Sequence, residues 1–134
     1  MRRYAFIAAC ALLLGACELF SVDFRLSGTV DVAPRLRERA PKANLILFIV
    51  AKNVGGVPVA VHRIVNPEFP APFQLGPGDL LIPSLRRREP LTLHAEMNTH
   101  GDVGTPKPGD FEGDAPGISA PGSTGVKIIL DRQR

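Results

Sequence analysis

The sequence predicts an all-β fold, an antiparallel sandwich of about seven or eight short strands in one domain. Three observations carry that expectation. Thirteen glycines and thirteen prolines in 134 residues mark frequent turns and leave little room for long helices. Short alternating or β-branched segments stand between these breaks. The strongest core signal is residues 44–52, in which Leu45, Ile46, Leu47, Phe48, Ile49 and Val50 follow one another without a polar break. A run this short, bounded by Pro41 and Gly55, fits a central strand covered on both faces.

In order, the chain opens with Arg2 and Arg3, then an apolar run from Tyr4 to Leu14, then Gly15, Ala16 and Cys17. A charged start, a short apolar stretch (expected to be helical) and a small-residue site form the layout of a secretory signal peptide. The run of about 11 residues is too short for the roughly 20 that a spanning helix needs. Leu14-Gly15-Ala16-Cys17 resembles a bacterial lipobox, with the two small residues in swapped order. The resemblance implies cleavage before Cys17, a diacylglyceride on its sulfur and a fatty acyl chain, such as palmitate, on the new amino terminus. The expected division is a signal peptide over 1–16, a lipidated tether over 17–23 and a folded domain over 24–134. Glu18, after the lipidated position, leaves inner and outer membrane both open.

Residues 24–32 alternate well enough for a first strand, with Gly28 marking a bulge or a close approach. Pro34 suits the start of a helical turn over 33–40 that ends at Pro41. After the central strand, residues 53–58 form a turn and 59–65 return as its hairpin partner. Pro67, Pro70 and Pro72 confine residues 66–73 to edge or irregular structure. Residues 73–75 form a short strand, 76–79 a turn and 80–82 a short apolar segment. Residues 91–97 alternate cleanly: Leu91, Leu93, Ala95 and Met97 face inward, and Thr92, His94 and Glu96 face outward. Residues 98–125 are expected to be one long loop rich in Gly, Pro and Asp, and loops of that length are usually functional or poorly ordered. Residues 126–130 form the last strand.

Composition narrows the function. The formal net charge is +3, but loss of Arg2 and Arg3 with the signal leaves about +1, so nothing argues for nucleic acid. Cys10 would go with the signal and Cys17 would be lipidated. The domain then has no thiol nucleophile and no disulfide. His94, Met97 and His100 are copper-type ligands close in sequence, but on a strand His94 and Met97 point to opposite faces. His62 is read as a solvent-facing strand residue. Asp102, Asp110, Glu112 and Asp114 could offer oxygen ligands to calcium, or simply line a solvated loop. Ser84, Ser119 and Ser123 lie in Pro/Gly-rich stretches without a nucleophile setting. Arg86, Arg87 and Arg88 are either a solvated corner or a contact for lipid headgroups or an acidic partner. No catalytic, cofactor or metal residue is assigned. The one assigned site is lipidation at Cys17.

The order of the pieces resembles a known family, the C-terminal immunoglobulin-like domain of the c-type cytochrome biogenesis protein CycH. The residues that carry the resemblance are Gly28-Thr29-Val30 with Pro34 and Leu36, then residues 41–45 leading into Phe48-Ile49-Val50-Ala51. Gly55-Gly56-Val57-Pro58 with its returning strand follows, then Phe73-Gln74-Leu75 before Asp79. The last matches are residues 108–113 and 125–131. The resemblance spans about residues 24–132 and implies an immunoglobulin-like sandwich on the periplasmic side of a membrane. In that family, transmembrane segments and a helical repeat domain precede the module, and here a lipid anchor is expected in their place. The expected protein is thus a non-catalytic lipoprotein of the bacterial envelope. Its partners would be membrane lipid, through acylated Cys17, and a protein of cytochrome c maturation. The alternative is an envelope lipoprotein that uses the same fold for an unrelated partner.

Overall fold

In the computed structural model, which describes residues 24–81 and 89–134, eight strands form two facing sheets. The expectations on the signal peptide, Cys17 and the tether fall outside the described residues, as do those on Ser84 and the Arg86–Arg88 run. β1 (Leu26–Val32), β4 (Ala71–Leu75) and β7 (Val126–Leu130) make the smaller sheet, in the order β4-β1-β7. β2 (Ile46–Lys52), β3 (Pro58–Val65), β5 (Thr92–Asn98), β6 (Phe111–Asp114) and β8 (Arg132–Gln133) make the larger, in the order β3-β2-β5-β6-β8. A six-residue 3₁₀ turn, Pro34–Arg39, and a shorter one, Pro77–Asp79, lie in the connections.

Alternation explains the core. Leu26, Val30 and Val32 of β1 share the inner face with Ala71, Phe73 and Leu75 of β4 and with Ile128 and Leu130 of β7. Opposite them stand Leu47, Ile49 and Ala51 of β2, Leu93, Ala95 and Met97 of β5, and Phe111 of β6. β2 is central, as its unbroken apolar run requires. Its outward residues Phe48 and Val50 are also buried, although they lie outside the main core cluster.

The structure departs from the sequence expectations in three places. Residues 98–125 are not a single loop, because Phe111–Asp114 pairs with β5 and buries Phe111. Only four residues long and flanked by Asp110 and Ala115, this strand has too few alternating positions to stand out. A two-residue strand, β8, follows β7 after Asp131, whose N–H donates to the Glu112 carbonyl at 3.1 Å. The chain thereby switches from the smaller sheet to the larger, a known way of closing a sandwich corner. Finally, β1 and β7 are parallel while every other pair is antiparallel. The reason is the 115–125 crossing, which returns the chain to the end where β1 begins.

Two glycines permit the close approaches. A Cβ on Gly28 would lie 1.8 Å from the Val126 carbonyl oxygen, and one on Gly113 would lie 1.9 Å from that of Ile129. The expected close approach at Gly28 is therefore real. The sandwich has two ends. Phe24 enters at the near end, with the 53–57 hairpin tip and residues 76–81 and 115–125. The far end gathers residues 33–45, 66–70 and 99–110 and the carboxy terminus, where Gly109 donates to the Arg134 carbonyl.

Candidate functional site

Two groups of side chains stand out, one on the outer face of the larger sheet and one at the far end. Register builds the first. His94 of β5 is paired with Asp114 of β6, and Glu96 with Glu112, which puts all four on the same outer face. His94 Nδ1 lies 2.7 Å from Asp114 Oδ1, and its Nε2 lies 3.4 Å from Glu96 Oε1. Arg132 of β8 reaches both Asp114 and Glu112, and Arg134 reaches Glu112.

These contacts set the protonation of the strip. His94 is held above its ordinary value by hydrogen bonding to Glu96 and then Asp114, against the opposing effect of burial. Glu96 is the stronger influence despite its longer contact, being far less exposed than Asp114, 15% against 54%. Glu96 is itself lowered, chiefly by His94. Burial alone would raise Asp114, but hydrogen bonds from His94 and Arg132 carry it lower. Arg132 is raised, mainly by Asp114.

The far end is built by asparagines and a second histidine. Asn66, at φ 49°, exchanges hydrogen bonds with the Leu45 backbone through its own N–H and its side-chain oxygen. Buried Asn98 donates to the Asp102 carbonyl and accepts from Gly101 N–H, which shapes the turn after β5. Asparagine at a strand end is a turn former, so this role was readable in principle and was not assigned from the sequence. His100 Nε2 lies 2.8 Å from Asp110 Oδ2, while its Nδ1 accepts from the Asp102 N–H at 3.2 Å. That pairing puts the proton of neutral His100 on Nε2.

Around this framework lie three neighbouring hollows. One of 450 Å³ lies between the Asp31–Arg37 ion pair and the cis Phe69–Pro70 peptide. One of 260 Å³ is floored by Leu45, Met97 and Phe111 and rimmed by His100, Lys107 and Asp110. The third, of 340 Å³, lies between Asn44 and Asn66.

The chemistry of these groups is ionic and positional. Among the described residues, the side-chain partners of His62, His94 and His100 are all carboxylates, and none is a hydroxyl. Met97 is fully buried on the inner face while His94 lies on the outer one, so the two do not converge. Asp102 faces Lys107, Asp110 faces His100, Glu112 faces Arg132 and Arg134, and Asp114 faces His94 and Arg132. No three of the described His, Cys, Asp and Glu residues are grouped to hold a metal ion. His62 is not a simple solvent-facing residue. It pairs across the sheet with inward Ile49, lies at the open edge of β3 and contacts Asp79 at 3.0 Å. Ser119 is buried, bonded through its backbone to Leu91.

Comparison with known proteins gives this architecture its lineage. An uncharacterised protein of Aquifex aeolicus (strain VF5) is 32% identical over 108 residues, 80% of this chain and 70% of that protein. No solved structure matches. The family model of the cytochrome c-type biogenesis protein H Ig-like domain matches residues 26–131, from the first residue of β1 to the corner between β7 and β8. That span takes in both sheets, and the chain accordingly belongs to the family of cytochrome c-type biogenesis protein H Ig-like domains.

Proposed function

We propose that the protein is a non-catalytic accessory module of c-type cytochrome maturation, tethered to a bacterial envelope membrane through lipidated Cys17 and facing the periplasm. The observation that carries the reading is family membership over residues 26–131, which take in seven of the eight strands. The lipobox-like Leu14-Gly15-Ala16-Cys17 supports the tether. The domain acts by position: an anchor in the bilayer raises its effective concentration near membrane-bound maturation factors. The far end is the recognition surface, because its loops combine apolar floors at Phe69 and Phe111 with charged rims at Arg37, Lys107 and Asp110. An apolar floor with a few polar groups at the rim is the usual make-up of a binding hollow.

Deleting the gene is expected to lower haem-stained holocytochrome c, with recovery on complementation. Unchanged holocytochrome would overturn the maturation role and favour an envelope lipoprotein with an unrelated partner. Mass spectrometry of the membrane-extracted protein is expected to show a chain beginning at Cys17 and carrying acyl mass.

A further inference from the structure

The end of the sandwich nearest the tether exposes apolar side chains that the core does not use. Val54 is 78% exposed, Ile118 64%, Leu81 57% and Val57 49%. All four lie at one end. Val54 and Val57 belong to the tip between β2 and β3, Leu81 follows the bridge of Leu80 to Ala60, and Ile118 precedes the bridge of Ser119 to Leu91. Phe24, where the described chain begins, leads into β1 at the same end.

These residues are held out rather than left loose. Asn53 Oδ1 accepts from the N–H groups of Gly55 at 3.0 Å and Val57 at 2.9 Å, and Asn53 N–H donates to the Val57 carbonyl. Gly56, at φ 79°, completes the tip. Leu81 N–H donates to the Val59 carbonyl at 2.8 Å, and Ser119 exchanges two backbone hydrogen bonds with Leu91. Backbone pinning of this kind presents an apolar side chain to its surroundings at little further entropic cost.

The length of the tether selects the occupant. Seven residue steps separate Cys17 from Phe24, and a fully extended chain of that length reaches about 25 Å. A lipid on Cys17 therefore keeps Phe24, at this end, within about 25 Å of the bilayer surface whatever path the tether takes. We propose that the near end is a membrane-contact face, with Val54, Val57, Leu81 and Ile118 seated in the headgroup layer of the bilayer that holds the lipid. Exposed Arg25 and half-buried Lys52 at the same end are balanced by Asp79 and Glu89, so the contact rests on the apolar side chains. Contact at this end points the far-end hollows away from the membrane. The inference rests on the proposed lipidation of Cys17 and adds an orientation to it.

The test uses the full-length lipoprotein, purified from membranes and placed in vesicles of phosphatidylethanolamine and phosphatidylglycerol. Val54→Cys, Ile118→Cys and the far-end control Val103→Cys are each labelled with a polarity-sensitive fluorophore. The expected result is a blue-shifted emission at positions 54 and 118, quenched by headgroup-level spin-labelled lipid, with neither effect at 103. Equal, water-like emission at all three positions overturns the membrane-contact face. Acyl mass at Cys17, measured on the same samples, reports the anchor separately. An acylated chain with water-like probes refutes only the orientation, whereas an unmodified Cys17 refutes the anchor on which it rests.

Discussion

His94 sits between two carboxylates of different exposure, and that position makes its effect on stability depend on pH. Its folded value is raised, so the stability it contributes is complete below its ordinary 6.5 and is lost as pH climbs through the higher folded value. Glu96 and Asp114 are lowered from 4.5 and 3.8, so their contribution is complete above those values and is lost as pH falls through the lower folded ones. The strip thus contributes most between about pH 4.5 and 6.5. Asp114 is half exposed, which reduces the worth of its pair. His94→Gln should cost about 1 kcal/mol near pH 5.5 and progressively less as pH rises from 6.5 through the raised folded value of His94, as urea titrations at several pH values would show. A cost independent of pH would mean that His94 acts by packing alone. At Gly113 the constraint is steric. A methyl group there would meet the Ile129 carbonyl at 1.9 Å, so Gly113→Ala should destabilise by about 1–3 kcal/mol or more, measured by the same titration.

Among the elements, legibility followed the length of the hydrophobic pattern. β2 and β5 were plain because seven residues of unbroken or alternating character leave one reading. β6 was hidden, since its four residues include a glycine at an inward position. That glycine reads as a loop former in sequence, yet it is there to let β7 come close. β8 was hidden for a different reason. It has two exposed residues, and its place is fixed by the corner at Asp131 and by charge pairing of Arg132, neither of which leaves a periodic signal. The outer-face strip was half legible: alternation put His94 and Glu96 outward, but their partners belong to the strands that were missed. Phe111 marks how much the hidden strand matters. It is 1% exposed and packs in the main core. Phe111→Ala should cost about 3–5 kcal/mol, a large share of the roughly 5–15 kcal/mol that holds an ordinary domain folded, and should lower the midpoint of thermal unfolding accordingly. A change below about 1 kcal/mol would show that β6 is peripheral.

At the scale of the whole molecule, the sandwich has two unlike ends. The far end joins strands through turns fixed by Asn66 and Asn98 and carries three hollows. The near end carries pinned apolar tips and receives the chain at Phe24. The two-sheet architecture was legible in composition and pattern, because turn residues and strand periodicity are local. The difference between the ends was not, because it depends on which loops the topology gathers together. Within this account Cys17→Ser is expected to leave the sandwich folded and release it from the membrane, as fractionation with circular dichroism would show. A variant that stays membrane-bound would contradict the lipid anchor.

The central claim, that the far end binds a partner in cytochrome c maturation while the near end faces the bilayer, is tested most directly by photocrosslinking in intact cells. A photoreactive residue is placed at Val103 at the far end or at Val54 at the near end, and crosslinked products are identified by mass spectrometry. The account predicts that Val103 captures an apocytochrome or a maturation factor and that Val54 captures lipid. Capture of such a protein from Val54 and none from Val103 would contradict it.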